Sequence, residues 1–184
     1  MKKVTARRDL GAAPTSVRVG LRAAVALVLP LASGACGNEA APPWVSPIAF
    51  DTASVTIRTE ATVPVRLLVE VARTAEQRAL GLGLRPMLDP QSGMIFLYDS
   101  IQPGDAGFWM WRTRIPLDIA FMDSAGAVLR IFGMEPCTAV YLRGCPTYEP
   151  GVPYWSALEV NSGWFEANDV VEGSLVELGG GGGG

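Results

Sequence analysis

Hydrophobic and polar residues alternate through Val55-Thr56-Ile57-Arg58, the two-residue period of a strand with one buried face. Residues 63–72 form a β-branched run interrupted by Arg66 and Glu70 and predict a second strand. Further strand-length segments follow at 94–98, 108–111, 117–123, 127–132, 156–160 and 174–178. Ser124-Ala125-Gly126 reads as the turn of a hairpin between two of them. Helical signals are few. Thr74-Ala75-Glu76-Gln77 is a capping box, in which the Thr hydroxyl bonds the Gln amide and the Gln side chain reaches back. A short helix through about Leu82 should follow, stopped by Gly81 and Gly83. A helical turn is expected near residues 164–168. About seven short strands with Gly and Pro punctuation, and one or two short helices, predict a mainly β domain, a compact β-sandwich or barrel.

The first 35 residues have a different pattern. Six basic groups (Lys2, Lys3, Arg7, Arg8, Arg18, Arg22) and a single acid, Asp9, lead into an apolar run at 23–32. Ten residues rise only about 15 Å as a helix, half the hydrocarbon core of a bilayer, so the run is too short for a permanent span. A charged start, a short apolar run and the small residues Ser33-Gly34-Ala35 match a secretory signal. Cys36 then makes the stretch resemble a bacterial lipoprotein signal, which implies cleavage before Cys36 and a diacylglycerol on its thiol. Ser33 departs from the Leu usual three positions before that Cys; ordinary cleavage near Ala35, leaving a free thiol, is the alternative. The expected organisation is a signal at 1–35, a lipidated Cys and Ala/Pro-rich tether at 36–50, one domain at 51–178 and a flexible Gly tail at 179–184. Such a protein would be exported, periplasmic or cell-surface, and held at the membrane by its lipid.

Composition narrows the chemistry. Fifteen basic groups less the six near the start leave nine Arg after residue 35, against seventeen acids, a net charge of −8. A polyanion binder needs clustered cations, so no nucleic acid partner is expected. The chain has no His and no Lys beyond residue 3, which excludes Ser-His, Cys-His and His-metal chemistry as well as Schiff-base and phosphate-loop chemistry. With Cys36 assigned to lipid, Cys137 and Cys145 remain, eight apart, and in an exported protein they predict a disulfide closing a small loop. Two Cys without His cannot complete a zinc site, and no carboxylate cluster has calcium-loop spacing, so neither a metal nor a cofactor is expected.

Five blocks occur in order: Arg78-Ala79-Leu80-Gly81-Leu82, Gly93-Met94-Ile95-Phe96, Phe108-Trp109-Met110-Trp111-Arg112-Thr113, Ile115-Pro116-Leu117-Asp118-Ile119-Ala120-Phe121 and Leu158-Glu159-Val160. Together they resemble an uncharacterised bacterial and archaeal family, domain of unknown function 192, over about residues 55–178. The resemblance implies a compact, mostly β domain, often exported, without an assigned activity. Two positions depart from it: Gly83 stands where the family usually has Met, and Arg112 where it usually has Asn.

Asp118 and Glu159 interrupt apolar runs, and a buried charge costs several kcal/mol unless it is bonded. Either carboxylate could bind Arg78 or backbone amides and hold the fold. Facing one cleft, the two would make a minimal acid/base pair of the kind glycosidases use. Consecutive Trp109, Met110 and Trp111 must alternate faces in a strand, so one ring either packs beneath the 99–107 loop or lines a groove. The candidate ligand-binding set is therefore Trp109, Thr113, Asp118, Glu159 and Arg78. Gly104 and Gly107 would let the preceding loop act as rim or lid, and Pro116 would place the stretch at an edge or bend. The favoured reading is a non-catalytic module binding an envelope glycan, peptide or protein. A carboxylate-dependent envelope glycan hydrolase and an envelope assembly factor are the alternatives.

Overall fold

Nine strands, two short helices and a 3-10 turn make up residues 44–61 and 63–179, which the computed structural model describes. The expected signal, Cys36 and residues 180–184 of the Gly tail lie outside them. β1 (Asp51–Arg58) and β2 (Val65–Ala72) form an antiparallel pair. β2 leads through α1 (Ala75–Leu80) to β3 (Ser92–Gln102), which runs parallel to it. β4 is only Phe108–Trp109, and β5 (Leu117–Met122) forms a hairpin with β6 (Val128–Met134). After β7 (Thr147–Tyr148) come β8 (Tyr154–Asn161), α2 (Trp164–Ala167) and β9 (Leu175–Leu178).

Seven strands form one sheet in the order β6-β5-β8-β3-β2-β1-β9, and β4 and β7 form a separate two-stranded ribbon. The mainly β expectation is met, as a curled sheet rather than a flat layer. The curl brings the outer strands together at one end, where Ala127 bridges Leu175. Three backbone bonds fasten this seam: Val176 donates to Gly126 at 2.8 Å, Val128 to Ser174 at 2.9 Å and Gly173 to Val128 at 2.8 Å. At Gly126 a β-carbon would stand 2.2 Å from the Val176 carbonyl oxygen, so no larger residue fits without parting the strands.

Strand alternation sorts the apolar residues onto two faces. Val55, Val69, Ile95, Ala120, Leu158 and Val160 line the inside of the curl, closed by Trp164 and Phe165 of α2. Met94, Phe96, Ile119, Phe121 and Ala157 lie on the outer face, covered by Leu82 and Met110 from the loops. The capping box forms as the sequence indicates: Gln77 N–H donates to Thr74 Oγ1 at 3.1 Å, and Gln77 Oε1 accepts from Thr74 N–H at 3.0 Å.

Two local expectations are corrected and a third is narrowed. The 108–111 strand stops after Trp109, because Arg112 takes a left-handed backbone (φ 61°) that turns the chain. That conformation favours Asn among side chains, so Arg at this position carries a backbone cost. Pro116 takes one of its two expected placements, the bend: it precedes β5, which has β6 and β8 on either side. The end of the tether is also not free of the domain. Phe50 packs on the outer-face cluster, Gln77 Nε2 donates to the Ala49 carbonyl at 2.9 Å, and the Trp44 ring lies 4.7 Å from the Arg85 guanidinium.

Candidate functional site

The pairing of β3 with β8 is interrupted where it matters for a site. From Leu97 to Gln102 β3 advances five residues while β8 advances two, from Ser156 back to Tyr154, leaving three surplus residues on β3. Such a bulge bends the strand and re-aims its side chains. Here it opens a pocket of about 270 Å³ between α1, β3, the 106–113 segment and β8. Phe96, Tyr98, Phe108, Trp109, Trp111 and Tyr154 supply its aromatic walls. Several of these rings meet edge to face, Phe96 with Phe108 at 4.9 Å and Tyr98 with Tyr154 at 5.8 Å between centres. The Tyr154 hydroxyl donates to the Ala106 carbonyl at 2.8 Å and ties the rim to the sheet. Burial raises the hydroxyl pKa of both tyrosines, so both remain protonated donors at neutral pH.

Of the five candidate residues, the structure brings Trp109, Thr113, Glu159 and Arg78 to this one pocket and leaves Asp118 elsewhere. Trp109 is 41 % exposed while its neighbour Met110 is buried. Trp111 is half-buried, with its indole N–H donated to the Ala139 carbonyl at 3.1 Å. Thr113 is buried, and its carbonyl accepts from Cys137 N–H at 3.2 Å. Cys137 and Cys145 stand at disulfide distance, Cα atoms 5.8 Å apart. Cys137 also accepts the Arg112 N–H at 2.9 Å, so the small cross-linked loop braces the pocket wall from behind.

Glu159 and Asp118 face opposite ways. Asp118 pairs with Val160 and Glu159 with Ile119, successive positions of the same two strands, so their side chains leave opposite faces of the sheet. Asp118 turns inward and accepts the Gly163 N–H at 2.8 Å, with Ser162 and Phe165 as further donors. Burial pushes its pKa up, and these donors hold the rise back. It is a clamp on the β8–α2 turn. The two carboxylates therefore do not share a cleft, and the acid/base pair required for a glycan hydrolase is not assembled from them.

Glu159 is 4 % exposed on the floor of the pocket. Among the described residues its carboxylate has no hydrogen bond and no ion pair. The guanidinium nearest in effect, Arg85, is engaged by Glu70, with Nη1 to Oε1 at 2.9 Å and Nη2 to Oε2. Burial pushes the Glu159 pKa up to about 8, the charge of Arg85 opposing it. Arg78 stands on the α1 side with its guanidinium 4.8 Å from the centre of the Tyr98 ring. Its bonds go through Nη1 to the carbonyls of Arg73 and, at 3.1 Å, Leu97, and it has no acidic partner among the described residues. No group of three or more potential metal ligands occurs among those residues.

Sequence reasoning missed Tyr98, Tyr154 and the Arg85–Glu70 pair. Tyr98 ends the apolar run at 94–98 and Tyr154 precedes the strand expected at 156–160; only the bulge, invisible in a single strand, brings them together. The loop glycines also differ from expectation. A β-carbon on Gly104 would stand 2.7 Å from the Val152 nitrogen, and one on Gly107 2.6 Å from Thr147 Cγ2. These glycines press the rim tightly onto the β7 region and do not make a hinge.

The profile of the DUF192 family, described as an uncharacterized ACR, matches residues 55–178. A crystal structure of a Novosphingobium aromaticivorans protein of unknown function is similar at 32% identity, with a TM-score of 0.61, covering 76% of this chain and 94% of that one. A Sinorhizobium meliloti protein named provisionally as a transcription regulator is similar at 26% identity, with a TM-score of 0.65, covering 72% of this chain and 98% of that one. No curated protein matches the chain.

Proposed function

The chain belongs to the DUF192 family, and on that footing we propose that it is an exported, lipid-anchored binding domain that holds a small ligand in the aromatic pocket without turning it over. Glu159 carries this reading. Its carboxyl opens into the pocket without a hydrogen-bond partner among the described residues, so a ligand that supplies the missing group gains that bond. Concave, mostly apolar sites with a few converging polar groups are the usual form of small-molecule pockets, and about 270 Å³ suits a small occupant. Turnover is not favoured, since no second carboxylate, His, Lys or thiol joins Glu159 in the pocket.

A thermal-shift panel of amino acids, short peptides and envelope sugars tests the site. Ligands that bind only the native state should raise the melting temperature of the wild type, and Trp109→Ala should abolish the rise. A panel without response, or a response unchanged in Trp109→Ala, would overturn the assignment. The anchor has its own test: labelled fatty acid should reach the wild type and not Cys36→Ser, and an unlabelled wild type would refute lipidation.

A further inference from the structure

We infer that the ligand is a small zwitterion of the α-amino-acid type, its ammonium group placed on Glu159, its carboxylate on Arg78 and its apolar side chain against the aromatic walls. This rests on the pocket being the binding site, as proposed above, and adds the chemical class of its occupant. A carboxyl and a guanidinium line one small cavity, and neither has a counter-ion bonded to it there; an ammonium arriving at Glu159 takes the place of the carboxyl proton, which leaves to solvent. Glu159 lacks a partner on the floor. Arg78 spends Nη1 on two carbonyls, so Nε and Nη2 remain to donate. A guanidinium holds a carboxylate through parallel N–H donors, a geometry that an ammonium or hydroxyl ligand cannot use.

The remaining walls favour the same class. The Tyr98 ring, 4.8 Å from the Arg78 guanidinium, lines the same cavity as Glu159. An ammonium over aromatic faces gains further attraction when desolvated, and six rings surround this cavity. A ligand with a cation alone would face Arg78 unpaired, and one with an anion alone would leave Glu159 unsatisfied. A neutral sugar would leave the Arg78 guanidinium without a counter-ion. The other charged pair on this face, Arg85 with Glu70, has both guanidinium Nη groups engaged by the Glu70 carboxylate.

Calorimetric titration of the purified chain with four probes distinguishes these cases: L-phenylalanine, phenethylamine, 3-phenylpropionate and chitobiose. Phenylalanine is expected to bind at least 10-fold more tightly than either singly charged analogue. Arg78→Ala should bring phenylalanine down to the level of phenethylamine, and Glu159→Gln to that of phenylpropionate. Near-ultraviolet circular dichroism confirms that each variant is folded, and Arg78→Lys, which keeps the charge and loses the fork, should bind at an intermediate level if Arg78→Ala fails to fold. Equal binding of phenylalanine and either analogue would overturn the two-pole arrangement. Chitobiose binding without phenylalanine binding would overturn the zwitterion while leaving the pocket as the site. If none of the four binds, the zwitterion is refuted, and the wider thermal-shift panel then decides the pocket separately.

Discussion

Asp118 on β5 and Glu159 on β8 occupy neighbouring strands, each enclosed, with the sheet between them. On the inner face the carboxylate has backbone donors from Gly163 and Phe165 and is part of the turn that carries α2. On the outer face it ends in a pocket with nothing bonded to it. Burial raises the pKa of both, so burial alone does not separate scaffold from site. What separates them is whether the protein itself completes the group. Asp118 is completed by backbone donors of its own chain; Glu159 opens into a pocket without one.

The sharpest way to break this comparison is titration. Unfolded Glu ionises near 4.5, and folded Glu159 near 8. Between those values the unfolded chain has released a proton that the folded chain keeps, so stability is full below about 4.5 and falls as pH rises toward 8. Glu159→Gln removes this loss. At pH 9 the variant should exceed the wild type by roughly 5 kcal/mol in denaturant unfolding, with little difference at pH 4. Equal pH profiles would mean that Glu159 is completed by some group after all.

Opening the cross-link tests the cover of the outer face. The double variant Cys137→Ser, Cys145→Ser should lose roughly 2–3 kcal/mol, since a small loop gains modest chain entropy on release. Because the loop braces Trp111 and Thr113, tryptophan fluorescence should shift to the red before global unfolding; unchanged emission would show that the wall stands without its brace. On the inner face Asp118→Asn should cost about 1–2 kcal/mol through a weakened charge-assisted bond. It should leave the thermal response to ligand intact, and loss of that response would put Asp118 back in the site. Smallest of all is Trp109→Ala, with less than about 1 kcal/mol expected by chemical denaturation for a ring already 41 % exposed, against complete loss of ligand response.

Local chemistry was readable from the chain and cross-strand chemistry was not. The Thr74–Gln77 box, the Ser124–Gly126 turn and the strand segments depend on residues within a few positions of one another, and the structure places them where the pattern indicates. Asp118 and Glu159 were legible as unusual, because each interrupts an apolar run. Their opposite directions were not, since facing depends on register between strands far apart in sequence. The parallel pairing of β2 with β3 and the β3 bulge are likewise set by tertiary packing, and with them the meeting of Tyr98 and Tyr154. Trp109, Thr113, Arg78 and Glu159 come together across β4, a loop, α1 and β8.

The seam at Gly126 bears on how the protein behaves in a crowd. An open seven-stranded sheet ends in two rows of unpaired amides and carbonyls, each a template on which another chain can add. Here the first and last strands are stapled to each other at one end through Gly126, Val128, Ser174 and Val176. The molecule thus spends its own edges on itself, and the absence of a β-carbon at one position keeps that self-pairing shut against neighbours of the same kind. At high local concentration, that is protection against polymerising with its own copies.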